Sequence, residues 1–227
     1  MNMRQKESQL PPLPNPIVDI IDQLFQQRPR LNQARDGLIA VYRALAQTFE
    51  AGGVLYLCGN GGSFADALHI KGELAKSFEK PRPLADPKLI KQLQKKDPGP
   101  ELIKQLEQGL PVIVLGESHS LRSAYENDKQ TQFSYAQELN AFAAHLKTGV
   151  LMGISTSGRA QNVIAALTLA RAYQLTTISF TGPAGGPMAL LADIDWRAPG
   201  NTTAEIQENQ PPLYHALCRM IETHFFG

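Results

Sequence analysis

In the stretch GSFADALHIKGELAKS (62–77), His69 and Glu73 stand four residues apart. On a helix that spacing puts both on one face, about 6 Å apart along the axis. An imidazole and a carboxylate placed this way can share a divalent metal, or serve as a general base beside a general acid. The plain alternative is an ordinary helix-surface pair. Gln207 and His215, in AEIQENQPPLYHAL (204–217), form a second candidate pair eight residues apart. In an unbroken helix they would lie about 12 Å apart, wide for two ligands of one ion. Pro211 and Pro212 predict that the last helix starts near Gln210, because proline is tolerated in a first turn and not in an interior. Gln207 then falls in the approach, and the separation is adjustable.

Two loops carry chemistry of another kind. Gly59-Asn60-Gly61-Gly62-Ser63 follows the apolar run VLYLC (54–58); its glycines let a ligand approach the backbone, and Asn60 and Ser63 offer side-chain hydrogen bonds. Ser155-Thr156-Ser157-Gly158 follows GVLMGI and precedes a predicted helix. Three hydroxyls and the free N–H groups of a helix start suit a phosphate monoester. A single helix cap would need only one of them. Neither loop fits GxxxxGK[ST], which disfavours a nucleoside triphosphate. Asn127-Asp128 falls in a polar stretch after the second strand, where a carboxylate could hold sugar hydroxyls, and His119 could line the site. His145, His224 and Trp196 read as structural or solvated.

The elements that must position these residues follow from periodicity. Apolar runs at 54–58, 112–115, 150–154, 176–180 and, more weakly, 193–198 alternate with helix-length segments at about 63–78, 131–147 and 158–174. That rhythm predicts an α/β fold with a parallel sheet covered by helices on both faces. Two helices, 17–28 and 31–51, open the chain, the second ended by Gly52-Gly53. Residues 1–16, polar and then proline-rich, predict a flexible arm ahead of a single domain at 17–227. Between Pro81 and Pro111, LIKQLQ (89–94) recurs as LIKQLE (102–107). Two copies are too few for a solenoid, so the segment reads as an inserted helical hairpin broken at Asp97–Pro100, either a surface decoration or a lid or oligomer contact.

Composition narrows the function classes. Of the 227 residues, 22 are basic and 21 acidic; a balance this even, without runs of one sign, argues against nucleic acid and anionic membranes as partners. Cys58 and Cys218 sit among apolar neighbours with no CxxC, as reduced thiols of a reducing compartment do. No apolar stretch is long enough to span a bilayer and the N-terminus has no apolar signal core, so the expected location is the cytoplasm.

GNGGS, AxHxxxE, GISTSG and IQE followed by His215, in that order, resemble the sugar isomerase (SIS) domain, and within it the sedoheptulose-7-phosphate (phosphoheptose) isomerases. The resemblance spans roughly 40–80 and 110–225. It implies a flavodoxin-like α/β sandwich and a homotetramer with active sites at subunit interfaces. It also implies an aldose–ketose isomerase that moves a carbonyl between C2 and C1 through an enediol. By resemblance Ser155, Thr156 and Ser157 hold the phosphate, Asn60, Gly61, Gly62, Ser63, Gln207 and Asp128 contact substrate, and His69, Glu73, Gln207 and His215 bind zinc. Glu73 and His215 are then base and acid. The chain departs from the pattern in three places: STSGRA replaces STSGNS, and Ser77 and Glu205 replace family arginines. Arg159 is expected to compensate for the lost serine, since a guanidinium fits phosphate. The competing readings are a non-catalytic SIS protein that binds other proteins and a sugar-phosphate sensor; the presence of both Glu73 and His215 favours the enzyme.

Overall fold

The structure, a computed structural model, describes residues 11–146 and 148–227; most of the expected N-terminal arm lies outside them. The chain opens with α1 (Asn15–Gln27), a 3-10 turn (Pro29–Ala34) and α2 (Arg35–Glu50). Then come β1 (Val54–Gly59), α3 (Gly62–Ala75), α4 (Pro87–Leu93), α5 (Gly99–Gln105) and β2 (Val112–Val114). These are followed by α6 (His119–Asp128), a 3-10 turn (Thr131–Phe133), α7 (Ser134–Ala143), β3 (Gly149–Ser155) and α8 (Gln161–Ala172). The chain closes with β4 (Thr176–Thr181), α9 (Gly186–Leu191), β5 (Ile194–Arg197) and α10 (Thr203–Phe226).

The five strands form one sheet in the order β2-β1-β3-β4-β5, every pairing parallel. Strands buried on both faces need apolar residues at successive positions, and β1 and β3 are buried throughout. Alternate residues feed opposite layers. Leu55 and Leu57 face a core built with α1, α2, α3 and α10, while Val54, Tyr56 and Cys58 face one built with α7, α8 and α9. Trp196 belongs to the first core, stacked on Phe180 at 3.9 Å and donating to Ala34 O at 3.2 Å. A 13-residue helix such as α1 is marginal on its own. Burial of Ile17, Ile20, Ile21, Leu24 and Phe25 along one stripe holds it in place, at about 1.5–3 kcal/mol for each large side chain.

The insertion is the helical hairpin the repeat predicted, with α4 and α5 parted near Asp97–Pro98. Several other expectations need correcting. The last helix starts at Thr203, not near Gln210, and carries Pro211 and Pro212 in its interior. Its start is fixed by a cap: Thr202 Oγ1 accepts the Glu205 amide at 3.2 Å, and Glu205 Oε2 accepts the Asn201 amide at 2.6 Å. The prolines lack the N–H groups that would have bonded the Gln207 and Glu208 carbonyls at i+4, and the helix runs on through that gap. Asp128 ends α6 and does not lie in a polar loop. The helix expected at 131–147 is, over the described residues 131–146, a 3-10 turn followed by a helix that stops at Ala143. α1 begins inside the expected arm, at Asn15. No helix among the described residues is long and apolar enough to cross a membrane.

Candidate active site

In an open parallel sheet the strand order reverses at one point, and the crevice beyond the carboxyl ends of the strands there takes ligands. Here the chain turns back between β1 and β3, which are adjacent, with Gly59 opposite Ile154. The two loops singled out from the sequence therefore leave the sheet side by side. Gly61 takes φ +56° at the head of α3, a conformation glycine adopts without steric cost. A Cβ on Gly62 would lie 2.4 Å from Gln207 Nε2, so the absence of a side chain there lets α10 pack against this turn. Asn60 is locked to Asn162 on α8 by reciprocal amide hydrogen bonds of 2.8 and 2.9 Å. The Tyr135 hydroxyl donates to Gly59 O and lies 3.1 Å from Asn60 Oδ1.

The phosphate-type loop runs three residues longer than periodicity predicted, since α8 begins at Gln161. Ala160 occupies the cap position and no side chain caps the helix. The three hydroxyls are therefore not consumed as caps. Among the described residues only Ser157 Oγ has an intramolecular partner, the Arg159 amide at 3.3 Å. Ser155 is buried, whereas Ser157 and Arg159 are exposed. Asp128 is exposed and accepts from Asn127 at 3.0 Å.

The other half of the site is the seam between α3 and α10. Gly62 meets Gln207, His69 meets Tyr214, Glu73 meets His215 and Phe78 meets Glu222, so the two helices run parallel. Glu73 Oε1 lies 2.9 Å from His69 Nε2 and 3.3 Å from His215 Nε2. One ligand atom from each of these residues falls within 4.8 Å of the others. Gln207 sits two turns earlier on α10, its amide against Gly62. The structure thus joins three of the four predicted metal ligands and places the fourth beside the glycine turn. A cavity of about 430 Å³ opens beside His215, lined among others by Arg28, Phe78, Glu79, Glu208 and Arg219.

The electrostatics single out Glu73. Burial pushes its carboxyl above the usual range, against the opposing pull of the Cys218 thiol and the His69 imidazole nearby. His215 is pushed down by burial and by the proximity of His69 and Arg28, so it is neutral near pH 7. Glu73 Oε2 and His215 Nε2 are both buried with no hydrogen-bond partner among the described residues, which is costly unless something else satisfies them. Two imidazoles and a carboxylate are a donor set that suits zinc. The residues present fit such an ion.

Spacing did not reveal the supporting residues. The Tyr214 hydroxyl lies 3.1 Å from His69 Nδ1 and 3.2 Å from Asp66 Oδ1. When Tyr214 donates to Asp66 it accepts from His69 Nδ1–H, which frees the Nε2 lone pair for a cation. Asp66 could have been found three residues before His69; Tyr214, Tyr135 and Asn162 carry no such local signal.

No family model matches the chain. A phosphoheptose isomerase of Roseiflexus sp. (strain RS-1) is 32% identical over 211 residues, covering 92% of this chain and 93% of the relative. One from Burkholderia pseudomallei (strain 1710b) is 34% identical over 198 residues, covering 86% and 87%. Among solved structures, a phosphoheptose isomerase from Neisseria gonorrhoeae matches with a TM-score of 0.65 at 26% identity, covering 89% of this chain and 93% of that one. One from Francisella tularensis shares the fold, with a TM-score of 0.67 at 24% identity over 91% and 98%. Fold, site and relatives together make this protein an aldose–ketose isomerase of the sugar isomerase fold. Within that class, the chain belongs to the phosphoheptose isomerase family.

Proposed function

We propose that the protein interconverts sedoheptulose 7-phosphate and D-glycero-D-manno-heptose 7-phosphate through a cis-enediol. The observation that carries this reading is the His69–Glu73–His215 cluster, whose buried carboxylate oxygen and imidazole nitrogen lack partners. In the ketose-to-aldose direction, Glu73 takes a proton from C1 through its free oxygen, Oε2, and returns it to C2. His215 gives a proton to O2 and takes one from O1. The balance is a ketone reduced at C2 and an alcohol oxidised at C1, with no external reductant. A carboxyl raised by burial is a stronger base than an exposed one, and a neutral imidazole can both give and accept a proton.

Ser155, Thr156 and Ser157 hold the phosphate with the N–H groups of their loop, and Arg159 adds a cation. Asn60, Gly61, Gly62, Ser63, Gln207 and Asp128 contact the sugar. Anchoring the remote phosphate lets its binding energy orient C1 and C2 at Glu73. The zinc ligands in this reading are His69, Glu73, His215 and Gln207, and a bound ion would supply electrostatic stabilisation of the developing enediolate. The protein acts as a cytoplasmic homotetramer with active sites at subunit interfaces. Two buried free cysteines and a His69 side chain left 51% exposed in the protomer support that placement.

An NMR assay of C5 to C7 ketose phosphates, with and without zinc, on wild type and Glu73→Gln tests the proposal. The expected result is conversion of sedoheptulose 7-phosphate by wild type alone. Absence of turnover for every sugar by metal-loaded wild type would overturn it in favour of a binding protein.

A further inference from the structure

Beyond the catalytic cluster, the α3–α10 seam ends in a buried ion pair that isomerase chemistry does not use. Arg82 and Glu222 have essentially no exposed surface. Arg82 Nε donates to Glu222 Oε1 at 2.9 Å, and Glu222 also accepts the Phe78 and Glu79 amides at 2.8 and 2.9 Å. Burial works to raise the Glu222 carboxyl, but these hydrogen bonds outweigh it and hold the group below the ordinary carboxylate range. Arg82 Nη2 also lies 2.9 Å from Glu222 Oε1, so the guanidinium bridges Glu222 and the end of α3. Its two terminal nitrogens donate to Leu74 O at 2.9 Å and to Glu73 O at 3.1 Å, carbonyls of the last turn of α3 that no helical N–H reaches. The ring of Phe226 covers it at 4.6 Å.

Arg82 is therefore hydrogen-bonded to the backbone of the proposed base and, through Glu222, to the helix that carries His215. His215 and Glu222 are seven residues, two turns, apart on α10. The path from Glu73 through Arg82, Glu222 and α10 to His215 closes on itself across the 3.3 Å contact between Glu73 Oε1 and His215 Nε2. The stem of the insertion supplies the arginine. Gln108 donates its amide to Arg82 O at 2.7 Å and its side chain to Pro83 O at 2.9 Å. Glu107 accepts from the amide of Ser77 at 3.0 Å and from its hydroxyl at 2.7 Å. A buried ion pair is weak ground for stability, since well-packed apolar replacements often stabilise as much. A fixed register between two helices is a use that a packed apolar pair, lacking directed hydrogen bonds, serves less well.

We propose that Arg82 and Glu222 are positioning residues: a clasp, delivered by the stem of the 81–111 insertion, that sets Glu73 against His215. The proposal rests on the isomerase reading above. The test is Arg82→Met combined with Glu222→Leu, which removes both charges together, with Arg82→Lys as the conservative partner. Thermal midpoint, kcat and KM for sedoheptulose 7-phosphate are measured, together with the visible absorption spectrum of the Co²⁺-loaded protein, which reports ligand geometry without turnover. The double variant is expected to keep KM and lose about 10- to 100-fold in kcat, as misplacement of a reacting group does, with an altered Co²⁺ spectrum. Arg82→Lys is expected to fall between it and wild type. Wild-type kcat and spectrum in the double variant would overturn the clasp. Should the double variant not fold, the same result in Arg82→Lys overturns it. If wild type turns over no ketose phosphate, the isomerase reading falls, and the spectra alone decide the positioning claim.

Discussion

Glu73 and Glu222 are two buried glutamates on one helix seam, 6% and 1% exposed, and their surroundings treat them in opposite ways. Each oxygen of Glu222 accepts hydrogen bonds and its carboxyl is held low. Glu73 keeps one oxygen without a hydrogen-bond partner among the described residues, and its carboxyl is pushed up. The first arrangement stabilises an ionised group in the folded chain. The second leaves a group whose needs are met only when something binds. The seam thus has a structural end and, on the proposed reading, a reactive end two turns apart, and buried charge means something different at each.

The largest effect expected at the reactive end is from Glu73→Gln. It should lower kcat by about 10²- to 10⁴-fold while the thermal midpoint holds or rises, because a buried, incompletely paired charge is removed. A falling midpoint with activity kept would erase the contrast. At the structural end, Glu222→Leu alone strands the Arg82 charge and should cost about 3–5 kcal/mol in chemical denaturation. Little change there would mean that Arg82 finds other partners. Arg159→Ala should raise KM for the sugar phosphate by about tenfold, the loss of one charge-assisted contact, with kcat nearly kept. An unchanged KM removes Arg159 from the phosphate site. The smallest effect is in acid. Because the folded carboxyl of Glu222 is depressed below its ordinary value of 4.5, its contribution is fully present above about pH 4.5. That contribution is lost as pH falls through the lower folded value. Denaturation midpoints followed downward from pH 5 should therefore fall more steeply for wild type than for Glu222→Gln; parallel curves would show that Glu222 is not specially held.

The reactive end was largely legible in the sequence because its signals are local. Apolar runs marked the strands, glycines marked the turn at Gly61, and the i, i+4 spacing of His69 and Glu73 survives as a 2.9 Å contact. The prolines of α10 misled, since proline weighs heavily in any local reading. The signal that prevailed, Thr202 with Glu205 three residues on, is the capping pattern of a helix start. The structural end was not legible at all. Arg82 and Glu222 are 140 positions apart, and nothing near either one marks it as half of a pair. Asn60 with Asn162 is the same case at a separation of 102. Local chemistry announces itself by spacing, whereas the contacts that hold it in place arise from topology.

The most direct test of the account is to follow sedoheptulose 7-phosphate by ¹H and ³¹P NMR with metal-loaded wild type beside Glu73→Gln. The account predicts that a heptose 7-phosphate aldose accumulates to equilibrium with wild type and that the variant, folded to the same degree, forms it at least about 100-fold more slowly. Equal rates in the two proteins, or no aldose with wild type, would contradict it.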